Sequence, residues 1–159
     1  MKNIAILFLQ GVIVLIGIVA ISVMIRFPMM EGRAQNLDLI SIYFDAFILY
    51  GYASSVAFFV ALYKAFRLLG YIREDKLFSP NAVRTVRSIK YCTITLSVLI
   101  ALAGVYIMIF HHKDDDPAGF LAMCIVFTFI SVAVATAVAV LERILQNAVD
   151  MKSENELTI

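Results

Sequence analysis

The stretch IAILFLQGVIVLIGIVAISVMI (residues 4–25) is apolar almost throughout, and its one strongly polar side chain is Gln10. A helix of that length covers about 33 Å, which is enough to cross a hydrocarbon core about 30 Å thick. The small residues Ala20 and Ser22 after the apolar run would also fit a signal peptide, and that alternative stays open. We favour a membrane-spanning helix.

Three further stretches are long and apolar enough to cross a bilayer, at residues 39–63, 91–110 and 118–141. Over the whole chain 62% of residues are hydrophobic and 16% charged, whereas an average soluble domain has about 25% charged residues. The runs lack the alternating pattern of a membrane barrel, and backbone amides in lipid must be satisfied within each helix. The sequence therefore predicts an all-α integral membrane protein, a single domain over residues 1–159 with a bundle of four transmembrane helices.

Basic residues are concentrated between the second and third spans. By the positive-inside rule, residues 64–90 form a cytoplasmic loop. Both chain termini then lie in the cytoplasm, and residues 142–159 form a cytoplasmic tail. The basic residues that carry this orientation are Lys64, Arg67, Arg73, Lys76, Arg84, Arg87 and Lys90.

The segment LFSPNAVRTVRSIKY (residues 77–91) has the pattern of a helix that leads into the third span. Ser79 is placed to cap its first turn, and Pro80 suits the first helical position. Apolar residues recur at helical spacing on one face, and basic residues lie on another. We expect an amphipathic cytoplasmic helix whose basic face contacts anionic lipid headgroups, in preference to a dedicated partner site. That face consists of Arg84, Arg87 and Lys90.

Small residues recur every four positions in the second and fourth spans, which lets helix backbones approach closely. Such stripes fit intramolecular seams or the contact face of a homo-oligomer, and we favour the seams. The stripes are Ala53, Ala57, Ala61 and Ala65, then Ser131, Ala135 and Ala139, and then Ala133 and Ala137.

Asp45 is the one acidic residue well inside a predicted span. An ionised carboxylate there is costly unless it faces a cavity, a partner or water. Tyr43 lies nearby in sequence, and Gln10 is a candidate partner across the bundle. These three residues form either a proton-coupled or ligand-binding site or an ordinary polar group near the outer interface, and we favour the second interpretation.

The remaining polar residues do not predict catalysis. His111 and His112 precede a run of three aspartates, but adjacent ligands are poor evidence for a metal site, and we expect a solvated outer loop. Cys92 and Cys124 are expected to be small buried residues. We expect Glu142 to form a charge pair with Lys64 or Arg67. Because catalytic and phosphate-binding motifs are lacking, we predict no enzyme activity, cofactor, metal or direct nucleic-acid binding.

Three segments together resemble a bacterial family of four-helix membrane proteins, the domain of unknown function 2975 (DUF2975). They are LFSPNAVRTVRSIKY, the ERILQ ending of span four (residues 142–146), and DMKSENELTI at residues 150–159. Glu156 departs conservatively from the aspartate common before Leu-Thr in such tails. The resemblance implies a bacterial inner-membrane protein with no established activity, often encoded beside a small helix-turn-helix repressor.

The resemblance therefore favours a non-enzymatic regulatory or immunity-type membrane partner of a cytoplasmic transcriptional regulator. Leu157 and Ile159 of the tail could dock in a groove of such a partner, with Glu154 and Glu156 setting orientation. Alternatively, these glutamates pair with arginines of the cytoplasmic loop, and we favour this alternative. A small oligomeric transporter or channel subunit with Asp45 in its pathway is the alternative function, and a lipid-binding or structural role is a third.

Overall fold

The computed structural model describes residues 2–30, 46–110 and 117–157. Within these ranges the regular structure consists of four α-helices and no strand. They are α1 (Lys2–Met30), α2 (Ala46–Arg73), α3 (Pro80–Phe110) and α4 (Ala118–Leu157). Each is long and apolar enough to cross a membrane, which confirms the predicted class of fold. The predicted start of span two, with Tyr43 and Asp45, and the loop with His111 and His112 lie outside the described residues.

The apolar side chains of the helices are mostly exposed rather than packed inside the protein. Ile4, Phe8 and Phe129 are each at least 70% exposed, and they stand for a much larger set. Contiguous apolar surface of this extent is not maintained by a soluble domain, but lipid chains cover it without cost. The exposed side chains therefore mark the lipid-facing surface.

Successive helices run antiparallel. The hydroxyl of Tyr52 in α2 donates to the carbonyl of Met24 in α1 at 3.1 Å, whereas Gly17 lies against Leu62 further along α2. The hydroxyl of Tyr50 donates to the carbonyl of Leu99 in α3 at 2.7 Å. The start of α1, the α2–α3 connection and the end of α4 consequently share one end of the molecule. We call it the charged end and define it by residues 64–90 and 142–157.

Helix α3 is central to the packing, since it contacts both α2 and α4, whereas α1 packs mainly against α2. At the end opposite the charged end, Phe47 of α2 stacks on Tyr106 of α3 and meets Phe120 of α4 edge to face. Tyrosine is enriched at membrane interfaces, and Tyr106 is the member of this cluster with that preference. This cluster therefore joins α2, α3 and α4 at the end of the molecule opposite the charged end.

Small residues form a close seam between α3 and α4. A Cβ atom on Gly104 would lie 3.2 Å from Cys124 Cβ, so glycine is what allows the approach. Ser131 and Ala135 are buried further along the same side of α4. The stripe that includes Ala133 faces outward instead. The first of the two α4 stripes is thus an intramolecular seam.

The segment predicted as a cytoplasmic loop, residues 64–90, is mostly helical. Helix α2 continues to Arg73, and α3 runs without a break from Pro80, so only residues 74–79 are non-helical. Ser79 caps α3, because its Oγ accepts the Ala82 amide at 3.3 Å. Asp75 takes a left-handed φ of 56°, which turns the chain after α2. A connection of six residues therefore joins α2 to α3.

Candidate functional site

The residues singled out in the sequence fall into two groups in the structure. Arg84, Arg87 and Lys90 lie on the first three turns of α3, at the charged end. Gln10 lies in the first third of α1 and is half-buried. Its proposed partner Asp45 lies outside the described residues, as does Tyr43, so the intramembrane polar site stays a prediction. The candidate site that the structure does describe is the charged end.

Glu142 of α4 is the centre of the polar contacts at the charged end. Its Oε1 accepts from Arg87 Nε at 2.7 Å, and its Oε2 lies 2.6 Å from Lys90 Nζ. Arg87 and Lys90 are three residues apart and therefore share one face of α3. Both carboxylate oxygens are thus engaged by cations of the neighbouring helix, and Glu142 is only 8% exposed.

This arrangement differs from the one expected from the sequence, which paired Glu142 with Lys64 or Arg67. Those two residues lie on α2, whereas α4 packs most extensively against α3. The antiparallel register of α3 and α4, set by the contact of Gly104 with Cys124, brings Glu142 level with Arg87 and Lys90. The pairing follows from that register and not from distance along the chain.

Glu142 lies just beyond residues 118–141, the predicted crossing stretch of α4. The hydrogen bonds from Lys90 and then from Arg87 hold the pKa of the Glu142 carboxyl below its ordinary value, because both favour the ionised form. Burial acts in the opposite direction and is outweighed. The same contact raises the pKa of Arg87. Glu142 is therefore a carboxylate at neutral pH.

A small hydrophobic cluster lies beside the ion pairs. Val86 is completely buried, Leu145 is 2% exposed and Val83 is 4% exposed. Leu145 follows Glu142 by three residues, so the ion pair and the apolar contact lie on one face of α4. The cluster is completed by Leu68, Leu77, Val138 and Val149. The ends of α2, α3 and α4 are consequently joined by both apolar and ionic contacts.

The segment predicted as a tail is a continuation of α4. The helix extends to Leu157, although the side chains of Glu156 and Leu157 and all of Ile159 lie outside what the structure describes. Gln146 donates to Asp150 at 2.9 Å, one turn apart, on an exposed face. Residues 150–155 are all exposed, Glu154 among them. At about 1.5 Å per residue, residues 142–157 extend roughly 24 Å beyond the predicted span.

A second feature of the charged end is a polar cleft of about 240 Å³ between α2 and α3, which is open to solvent and which we call the cavity. Three cationic side chains line it, and Arg67 donates to the Tyr71 hydroxyl at 2.9 Å while its guanidinium lies 5.7 Å from the centre of the same ring. The cavity was not predicted from the sequence, because its residues come from two helices. The lining consists of Lys64, Arg67, Tyr71, Asn81, Arg84, Thr85 and Ser88.

Metal ligands do not converge in the part of the chain that the structure describes. Across residues 2–30, 46–110 and 117–157, no group of three histidine, cysteine, aspartate or glutamate side chains could hold a metal ion. Cys92 and Cys124 are free thiols in α3 and α4. The chemistry that the charged end does offer is ionic: a neutralised carboxylate on one side of α3 and a cationic cavity on the other.

Comparison with known proteins agrees with the resemblance drawn from the sequence. The profile of DUF2975, described as a protein of unknown function, matches residues 5–159. The uncharacterized membrane protein YoaS of Bacillus subtilis is 36% identical over 162 residues, and the alignment covers 100% of both chains. No solved structure matches the chain.

Proposed function

The chain belongs to the DUF2975 family of proteins of unknown function, and on that premise we propose that it is a non-enzymatic membrane protein whose charged end binds a soluble cytoplasmic regulator. One observation carries the proposal: α4 continues about four turns past its predicted span, and its first turns there are held to α3 by Glu142 and Leu145. A helix that is fixed at its base and exposed at its tip offers a preorganised surface to a partner.

The orientation of the charged end supports a cytoplasmic partner. The basic residues of α2 and α3 lie at this end, and excess Lys and Arg are typical of cytoplasmic segments. The exposed tip of α4 carries residues of both signs, with Asp150 and Glu154 beside Lys152. Charges of this kind at the rim of a contact set its orientation and its rate of association more than its affinity.

The proposal is tested by photo-crosslinking in cells of the protein's own host. A photoreactive residue replaces Met151, which is 61% exposed at the tip of α4. We expect a covalent product with a soluble helix-turn-helix protein. The control position is Phe129, which is 73% exposed in the apolar part of the same helix and should yield lipid or membrane products only.

Two results would contradict the proposal. One is the recovery of no soluble protein from position 151. The other is unchanged recovery of the partner after residues 154–159 are deleted. That result would mean that the end of α4 does not take part in the contact.

The alternative function, a transporter or channel subunit, depends on Asp45. If that alternative holds, replacement of Asp45 by asparagine should abolish flux through liposomes that contain the protein.

A further inference from the structure

The cavity between α2 and α3 collects positive charge without a matching carboxylate. Lys64, Arg67 and Arg84 line it, and its lining contains no acidic residue. Among the side chains that the structure describes, no carboxylate lies within ion-pair distance of these three cations. Three like charges around one cavity repel one another, so an anion bound there would be stabilised by all three.

The other side of α3 shows what such an anion would do. There Arg87 and Lys90 also lie close together, and the Glu142 carboxylate is bound between them with both oxygens engaged. That side of the charged end therefore carries its own counter-ion. The cavity lined by Arg84 has the same kind of cations, and no counter-ion from the described chain occupies it.

The cavity also has neutral hydrogen-bond donors. Arg67 is oriented by Tyr71, since its Nη2 donates to the Tyr71 hydroxyl at 2.9 Å. That hydroxyl retains its own proton to donate, and the side-chain amide of Asn81 supplies two further donors. Thr85 and Ser88 instead donate to backbone carbonyls of α3, at 2.9 Å each. Guanidinium groups with additional donors match the several acceptor oxygens of a phosphate.

The level of the cavity relative to the bilayer favours a ligand at the membrane surface. The apolar stretch of α2 ends at residue 63, and the predicted third span begins at residue 91. Lys64 and Ser88 therefore lie at the edge of the hydrocarbon core. Tyr71 and Asn81 lie about two helical turns, roughly 10 Å, further out. The cavity thus covers the level of the phospholipid headgroups, where basic pockets between helices bind anionic groups.

We propose that this cavity is a binding site for a phosphate ester, with Arg84, Arg67 and Lys64 as the ligating cations. The ester is either the headgroup of an anionic phospholipid or a free phosphate ester from the aqueous side. In both cases the phosphate oxygens accept hydrogen bonds from α2 and α3 together. Binding therefore joins the two helices and raises the thermal stability of the protein. The site is independent of the soluble partner proposed above.

The test uses the full chain in a nonionic detergent. Native mass spectrometry and thermal unfolding are measured with phosphatidylglycerol, with diacylglycerol as the phosphate-free control, and with glycerol phosphate as the soluble ester. We expect phosphatidylglycerol to bind and to raise Tm, and diacylglycerol to do neither. Binding of phosphatidylglycerol alone identifies the site as a lipid site, whereas equal binding of glycerol phosphate identifies a site for free esters.

Substitutions decide whether the cavity itself is responsible. Arg84→Gln should weaken binding about tenfold or more, since a hydrogen-bonded charge pair with the phosphate is lost. Lys64→Gln is a second variant that should act in the same direction. The matched control is Arg73→Gln, which removes the same charge from an exposed position at the same end but outside the cavity.

Three outcomes would overturn the proposal. They are equal binding of diacylglycerol and phosphatidylglycerol, the failure of both phosphate esters to bind, and an equal loss of binding in Arg73→Gln and Arg84→Gln. The last of these would mean that binding reflects the overall charge of the surface. Because Arg84 is exposed, its variant should retain the Tm of the unliganded wild type, and this measurement excludes misfolding as the cause of a loss.

Discussion

Lys90 Nζ on α3 lies 2.6 Å from Glu142 Oε2 on α4, at the level where the two helices leave their apolar stretches. Arg87 occupies the other oxygen of the same carboxylate. Glu142 of α4 thus contacts two residues of α3, just beyond the apolar stretches of both helices. We regard this contact as what keeps the projecting part of α4 aligned with α3.

Replacement of Glu142 by glutamine should destabilise the protein. The amide loses the negative charge and directs an NH2 group toward one of two cations, so Tm should fall on the order of a few degrees. Asp150→Asn, on the same helix, removes an equal charge from an exposed site and can still accept from Gln146, so it should leave Tm nearly unchanged. Equal effects of the two variants would show that the Glu142 contact contributes no stability.

The Glu142 contact should also make stability depend on pH. The pKa of Glu142 is lower in the folded protein than its ordinary value of about 4.5. Its stabilising contribution is therefore fully present well above pH 4.5 and is lost as the pH falls through the folded-state pKa. Between pH 7 and pH 3 the wild type should consequently lose more Tm than Glu142→Gln does. Parallel curves for the two proteins would contradict this assignment.

Truncation of Leu145 tests the hydrophobic cluster at the charged end. Leu145 is 2% exposed, and Leu145→Ala should lower the free energy of unfolding by about 2–5 kcal/mol through lost burial and the cavity left behind. Leu141→Ala, one turn earlier and 38% exposed, makes the same change at a less buried position and should cost less. Denaturation in a fixed detergent measures the free energy of unfolding of both variants. An equal loss in the two variants would contradict the assignment of Leu145 to the core of the charged end.

The side of the membrane on which the charged end lies can be determined by cysteine labelling. In a chain with Cys92 and Cys124 replaced by serine, Ser153→Cys should be protected in intact cells from a maleimide that cannot cross the membrane. Gly119→Cys, at the opposite end of α4, should be labelled. The expectation follows from the basic residues at the charged end. Labelling of position 153 in intact cells would reverse the orientation and remove the basis for a cytoplasmic partner.

Much of the architecture could be predicted from local features of the sequence. Four apolar stretches predicted four helices, because length and hydropathy alone decide whether a segment is stable in lipid. The start of α3 was readable in the same way, since the Ser79 cap and Pro80 act within one turn. For such features the residues that determine the structure are neighbours in the chain.

The ion pairs of Glu142 and the cavity between α2 and α3 could not be predicted from local sequence features. Arg84, Arg87 and Lys90 were predicted to form one basic face. In the structure Glu142 contacts Arg87 and Lys90, and Arg84 lines the cavity shared with α2. The apolar contacts of Leu68 and Leu77 with the Val86 and Leu145 cluster were not predicted either, because they join residues that are far apart in the chain.

The amino-acid sequence by itself determined that this protein has four apolar helices and that most of its basic residues gather at one end of them. Only the tertiary structure decided which carboxylate neutralises which cations and which cations are left to line a cavity. The physical reason is that ionic contacts act over a few ångströms between residues 55 positions apart. Their pairing depends on the register and rotation of α2, α3 and α4, which close packing at residues such as Gly104 and Cys124 establishes.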